Sequence, residues 1–183
     1  EFRSGLLSRR DLLADLESRG EGLEEGVRRV LQLAGQGLFP GIRGIVAELI
    51  TVDHRYATLV EAALGEAEQS IVIDRRQDVL DSLEKLEETL EGRAGFLPLD
   101  SLQPARRAAD LVGHAGVVAR MADLVATDAA LRPMVECLLG NTLLVEDLAV
   151  ALRLSGGSLA RYGRDGLAGV RYVTLSGETV EAD

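Results

Sequence analysis

Residues 135–147 read VECLLGNTLLVED, and residues 60–74 read VEAALGEAEQSIVID. Both open on an amphipathic segment, pass through a glycine and end on an apolar run closed by an aspartate. With a displacement of 75, Leu49 falls on Leu124, Asp53 on Asp128, Val60 on Val135, Glu61 on Glu136, Leu64 on Leu139 and Gly65 on Gly140, without a gap. The apolar runs SIVID and TLLVED follow after a small slip. A repeat of this kind points to an internal duplication, and the duplicated unit sets the fold.

Working outward, residues 44–52 (GIVAELITV) are β-branched and apolar and predict a strand. HRYATLVEAAL predicts an amphipathic helix, with Asp53 as its N-cap and Gly65 just past its end. SIVID is a buried strand. QDVLDSLEKLEETLEG is a second helix, with Val79, Leu83, Leu86 and Leu90 on one face and Gly92 ending it. RAGFLPL is a third strand closed by Pro98. The second unit, from about Gly116 to Leu175, repeats this β-α-β-α-β order, with LAVALRLS as its second helix and VRYVTL as its last strand. The fold class is mixed α/β: two similar subdomains packed side by side. They are joined by the loop DSLQPARRAADLVGHAG.

The first forty residues differ in texture. Leu13, Leu16, Leu23, Val27, Val30 and Leu31 stand at roughly helical spacing, interrupted by Gly20 and Gly22. Two helices are expected, about 7–18 and 23–34, the second stopped by Gly35 and Gly37. The pattern fits a helical hairpin capping the domain, and it fits the end of a coiled-coil arm equally well.

Composition narrows the function. Thirty acidic residues against 20 basic ones give a net charge of −10, which argues against a surface devoted to nucleic acid. The single cysteine, Cys137, excludes an intramolecular disulfide and a Cys-rich zinc site, and is expected to be a small buried hydrophobe. No apolar run is long enough to span a membrane, so a cytoplasmic setting is expected. There is no G-x-x-x-x-G-K-[ST] motif, and the only lysine is Lys85. The glycine-rich GRDGLAG and LSGG lack the strand–turn–helix context of a dinucleotide fingerprint. His54 and His114 share no metal-ligand spacing with carboxylates. Asp53 and Asp128 are explained by their equivalent places in the two repeats, as N-caps, and Glu61 and Glu136 as equivalent helix residues, rather than as acid–base pairs. No nucleophile, base and orienting group stand together. Arginine pairs at Arg75–Arg76 and Arg106–Arg107 form the best candidate for a phosphate contact, although aromatic residues that would stack bases are nearly absent.

The stretches GIRGIVAELITVDHRYATLVEAALGEAEQSIVID, GRAGFLPLD, VECLLGNTLLVEDLAVAL and VRYVTLSGETVEAD, in that order, resemble the hinge domain of structural maintenance of chromosomes (SMC) proteins, with bacterial wording. The likeness runs along residues 27–183, and GRAGFLPLD and LLGNTLLVED are its most specific pieces. It implies an arm end and connecting helix over residues 1–40, a first hinge subdomain over 41–100, a linker over 101–115 and a second subdomain over 116–183.

That resemblance carries further expectations. Two hinges join as a homodimer with a two-fold axis, a sheet edge of one first subdomain meeting the partner's second subdomain. Arg93, Phe96, Leu97, Gly169, Val170, Tyr172, Val173 and Gly177 are the interface residues it selects. DNA contact is expected to be weak and to run through Arg75, Arg76, Arg106 and Arg107. No cofactor is expected in this segment, since ATP and Mg²⁺ belong to the parent protein's head, where accessory condensin-type subunits also attach. The parent is expected to be nucleoid-associated. The family's glycine cluster at the dimer contact follows soon after the stretch matching VTLSGETVEAD, and Gly177 is the last glycine here, so a weaker dimer is expected. The competing class is an enzyme or small-ligand domain on a duplicated α/β unit; a stand-alone DNA-binding module is a third.

Overall fold

The computed structural model describes residues 23–82, 92–103, 111–156 and 169–181. The helix expected at 7–18 and the distal part of the helix expected at 77–92 lie outside them. In chain order the elements are α1 (Glu25–Gly35), β1 (Ile42–Ile45), β2 (Thr51–Val52), α2 (Ala57–Leu64), β3 (Ile71–Ile73), α3 (Arg76–Leu80) and β4 (Phe96–Pro98) in the first half. The second half supplies β5 (Val117–Arg120), β6 (Val125–Ala126), α4 (Arg132–Leu139), β7 (Thr142–Val145), α5 (Leu148–Ser155), β8 (Arg171–Thr174) and β9 (Thr179–Glu181).

Each half builds one sheet, ordered β1-β3-β4 in unit one and β5-β7-β8-β9 in unit two. In both, the first two strands are antiparallel and the next pair is parallel. The parallel pair needs a crossover, and in unit two α5 supplies it. The strands read as unbroken apolar runs because both sheet faces are buried. Ile71 and Ile73 face an outer core with Val27, Val30 and Leu33 of α1, whereas Val72 between them faces a core shared by the two units. Leu143 and Val145 likewise face an outer core under α5, and Leu144 faces the shared one. The layers are therefore α1 and α3, sheet one, α2 with α4, sheet two, and α5.

The duplication is exact in places that sequence identity does not reveal. Gly41 and Gly116 both take positive φ, 87° and 86°, and both carbonyls accept a hydrogen bond at 2.9 Å, from Asp74 and Glu146 N–H. Each first strand carries a β-bulge at the same residue, Arg43 in β1 and Val118 in β5. The slip after the helices has a cause: unit one inserts a 3-10 turn, Gly65–Gln69. The bulged strands pair Ile45 with Ile71 and Arg120 with Leu143, so beyond the turn the displacement falls from 75 to 72.

Three expectations are corrected. The strand expected over 44–52 is two strands separated by a 3-10 turn, Val46–Glu48. β3 is only three residues long, so its ladder ends where Val46 N–H donates to Ser70 C=O at 3.1 Å. The chain then turns Val46 into the shared core and sends β2 across to β6. Thr51 pairs there with Ala126, its own repeat equivalent, as a local two-fold axis requires. Second, neither Asp53 nor Asp128 caps a helix through its side chain. Their backbone carbonyls instead close equivalent turns, accepting from Tyr56 N–H at 2.8 Å and Leu131 N–H at 2.9 Å. Asp147 does cap α5, accepting from Val150 N–H at 2.8 Å. Third, unit two carries an extra strand, β9, with no counterpart among the described residues of unit one.

The described end of the N-terminal segment, residues 23–40, is part of this body. α1 ends in a Schellman arrangement, Gly37 N–H donating to Ala34 C=O at 2.9 Å and Leu38 N–H to Leu33 C=O at 3.2 Å. Its buried face covers sheet one, each buried Val or Leu contributing about 1.5–3 kcal/mol. Its first turn sits so close to the strand leading to β4 that a Cβ at Gly26 would lie 2.3 Å from the Arg93 carbonyl oxygen.

Candidate dimer interface

The two larger sheets end on β1, β4, β5 and β9, while β2 and β6, two residues each, pair only with each other across the units. An open strand edge is a row of unpaired N–H and C=O groups, and a bulge is one device that blunts it. β1 and β5 carry the two bulges. β4 and β9 carry none, which leaves one unbulged edge on each of the two larger sheets.

The backbone pattern tells which groups face out. Ile71 N–H donates to Gly95 C=O at 2.8 Å, so by the alternation of a parallel ladder Leu97 also faces β3 and Phe96 faces away. Pro98 lacks an N–H on that same outward side, as prolines of edge strands do. On the other unit, Thr174 N–H donates to Glu178 C=O at 2.9 Å, which fixes the phase of the β8–β9 hairpin. Tyr172 and Val180 are then a hydrogen-bonded pair, and the backbone groups of Thr179 and Glu181 point outward.

The expected interface residues separate accordingly. Phe96 and Leu97 stand on the open β4 edge, their side chains partly buried in the outer and shared cores. Arg93 is exposed just before it and helps line a cavity of about 240 Å³ with Glu24, Glu66, Gln69 and Ser70. Val170, Tyr172 and Val173 are fully buried, and β8 is paired on both sides, so its backbone has no free edge. The second edge is β9. Burial pushes the Tyr172 hydroxyl pKa up, and that hydroxyl has no hydrogen-bond partner among the described residues. Gly169 and Gly177 have φ of 78° and 94° with open space around them. Gly177 shapes the β8–β9 turn, its N–H donating to Thr174 C=O at 3.0 Å. In that turn Glu178 is held below the usual carboxylate range by the Thr174 hydroxyl.

The basic patch is neutralised in part where it is described. Arg75 pairs with Asp78 at 2.7 Å, Arg43 pairs with Asp74 at 2.8 Å, and Asp100 accepts from Arg76 N–H at 3.1 Å. Three arginines thus stand among three aspartates. Arg106 and Arg107 lie outside the described residues. Cys137 is half-buried rather than fully buried. Among the described residues no His, Cys, Asp and Glu cluster could hold a metal, and no helix is long and apolar enough to cross a membrane.

The fold assembles two polar constellations. Arg120, only 15% exposed, reaches Asp123 at 2.7 Å and Glu136 at 2.8 Å, and Arg132 reaches Glu136 at 2.7 Å. The i,i+3 and i,i+4 spacings of these pairs were visible in the sequence. Burial alone would raise the Glu136 pKa, but hydrogen bonds from Arg132 and Arg120 win and lower it; the Arg120 bond lowers that of Asp123. The second constellation joins the units: Thr127 Oγ1 donates to Leu49 C=O at 2.7 Å, and Arg171 Nη1 to Ala63 C=O at 2.8 Å. No local spacing announces either, because the partners are far apart in sequence.

Comparison with known proteins agrees with this geometry. Residues 39–155 match the family described as SMC proteins flexible hinge domain. The chain is 36% identical over 182 residues to the chromosome partition protein Smc of Rhodopirellula baltica and 35% identical over 179 residues to that of Myxococcus xanthus, with 98% and 96% of this chain covered. It spans 14% of the length of each. Among solved structures it resembles an asymmetric dimer of the Geobacillus stearothermophilus SMC hinge domain, with a TM-score of 0.85, 34% identity and coverage of 99% of this chain and 69% of that one. By sequence along its whole length and by its fold, the chain belongs to the flexible hinge domain family of SMC proteins.

Proposed function

We propose that this chain is the dimerisation hinge of a chromosome-partition SMC protein, joining two copies through the β4 edge of one and the β9 edge of the other, twice over a two-fold axis. The observation that carries this reading is the pair of unbulged edges, one at the end of each larger sheet; the dimer named for the G. stearothermophilus hinge supports it. The domain itself does no chemistry. In the parent protein, ATP and Mg²⁺ act at head segments outside this chain, which long coiled-coil arms connect to the hinge; accessory condensin-type subunits bind there, and the whole works on the nucleoid in the cytoplasm. DNA contact by the hinge is weak and salt-sensitive, because Arg75 and the neighbouring Arg43 already face the carboxylates of Asp78 and Asp74.

Sedimentation equilibrium on the wild type and on Thr179→Pro tests the edge pairing. Proline at 179 removes an outward N–H and leaves the β8–β9 ladder intact, whereas Val180→Pro breaks that ladder. A dimeric wild type, and a Thr179→Pro variant that is folded by circular dichroism but monomeric, is the expected result. A Thr179→Pro variant that dimerises as tightly as wild type removes β9 from the interface.

A further inference from the structure

We propose that Arg171 is the positioning residue of the dimerisation edge: it ties β9 to the opposite unit and so sets the edge in place for the partner. The proposal rests on the edge-pairing reading above. Arg171 opens β8, and its guanidinium works in two directions. Nε donates to Glu181 Oε1 at 2.8 Å and Nη2 lies 2.7 Å from the same oxygen. Nη1 donates to the carbonyl of Ala63 at 2.8 Å.

Ala63 is the penultimate residue of α2, in unit one, where the last carbonyls of a helix lack partners along their own chain. A cation there is favoured by the helix dipole as well as by the hydrogen bond. Glu181 is a β9 residue whose backbone faces outward, so the same residue offers the partner its N–H and C=O while its side chain is held by Arg171. A displacement of one unit against the other therefore reaches the edge residue Glu181 directly through this side chain, besides the β8 backbone whose Val173 lies in the shared core. The other described hydrogen-bonded ties between units, β2–β6 and Thr127 to Leu49, do not touch β9. Unit one has no such device: β4 and β8 pair equivalently with β3 and β7, which puts Gly95, without a side chain, at the place of Arg171. The planar fork of arginine gives two N–H groups to Glu181 and a third to Ala63 in one fixed geometry, which the point charge of a lysine reproduces only in part.

The test compares wild type with Arg171→Ala, Arg171→Lys, Glu181→Gln and the double variant Arg171→Ala/Glu181→Gln, reading dimer dissociation by sedimentation, β9 amide exchange by NMR and global unfolding by circular dichroism. Arg171→Ala should weaken the dimer by about 10-fold and speed β9 exchange by at least about 10-fold, with the protomer still folded. Arg171→Lys should recover part of the loss, and Glu181→Gln should cost about 3-fold and add nothing in the Arg171→Ala background. Wild-type affinity in Arg171→Ala, or a lowered unfolding temperature with unchanged affinity, overturns the positioning role. A wild type that stays monomeric overturns edge pairing instead. In that chain, unchanged β9 exchange in Arg171→Ala overturns the tie as well, and faster exchange upholds it.

Discussion

The two units share one backbone plan and hold it together differently. Unit one covers its outer sheet face with α1 and α3; unit two uses α5 and adds β9. At the place where unit two has Arg120, Asp123, Arg132 and Glu136, unit one has Ile45, Glu48, Ala57 and Glu61. A half-buried ion network on one side is thus an apolar contact plus exposed acids on the other, since Ile45 lies in the outer core of unit one. Glu68 beside Glu61 has its pKa raised by burial and then by that neighbouring charge, the reverse of Glu136. A duplicated backbone tolerates either solution because burial and satisfied polar groups, not residue identity, are what each position demands.

The largest test of this contrast falls on unit one. Gly26→Ala should destabilise the domain by about 2–3 kcal/mol, because its Cβ meets backbone rather than a movable side chain. Thermal unfolding measures the loss, and hydrogen exchange should place it in α1 and sheet one. A cost below about 0.5 kcal/mol would mean that α1 docks more loosely than its buried face implies.

Next, Glu136→Ala leaves Arg120 and Arg132 without their shared carboxylate and should cost about 1–2 kcal/mol, since the site is only partly desolvated. Glu61→Ala, its repeat partner on an exposed face, should stay within about 0.5 kcal/mol. Urea unfolding of both variants tests the contrast; equal losses would erase it. The pH dependence has a definite sign. Glu136 and Asp123 titrate lower in the folded chain than in the unfolded one, so their stabilisation is complete above the ordinary carboxylate range. It fades as pH falls through the lowered values. Glu136→Ala should flatten that acid limb, which a urea series run from neutral to acid pH would show.

The smallest effect has the opposite sign. Tyr172→Phe removes a buried hydroxyl that has no partner, so stability should be unchanged or rise by up to about 1 kcal/mol. A clear loss would show that the hydroxyl is satisfied after all.

The repeat, the order of elements and the core were legible in the sequence, because period and displacement report local burial. LAVALRLS forms α5 over its full length, and VRYVTL contains β8. The candidate site was legible only in part. Phe96 and Leu97 lie on an open edge as expected, yet Tyr172 and Val173, equally apolar and β-branched or aromatic, lie on an interior strand. Composition cannot distinguish an edge strand from a central one when both faces are covered: which neighbour a strand pairs with depends on segments far away in the chain. The same reason hid the split of residues 44–52 into β1 and β2 and the reach of Arg171 to Ala63. What the sequence by itself determined is what adjacent residues can settle: helix faces, glycine stops and the duplicated plan. The tertiary structure alone decided which edges stay open and which side chains cross between units, because those depend on how two folded bodies meet.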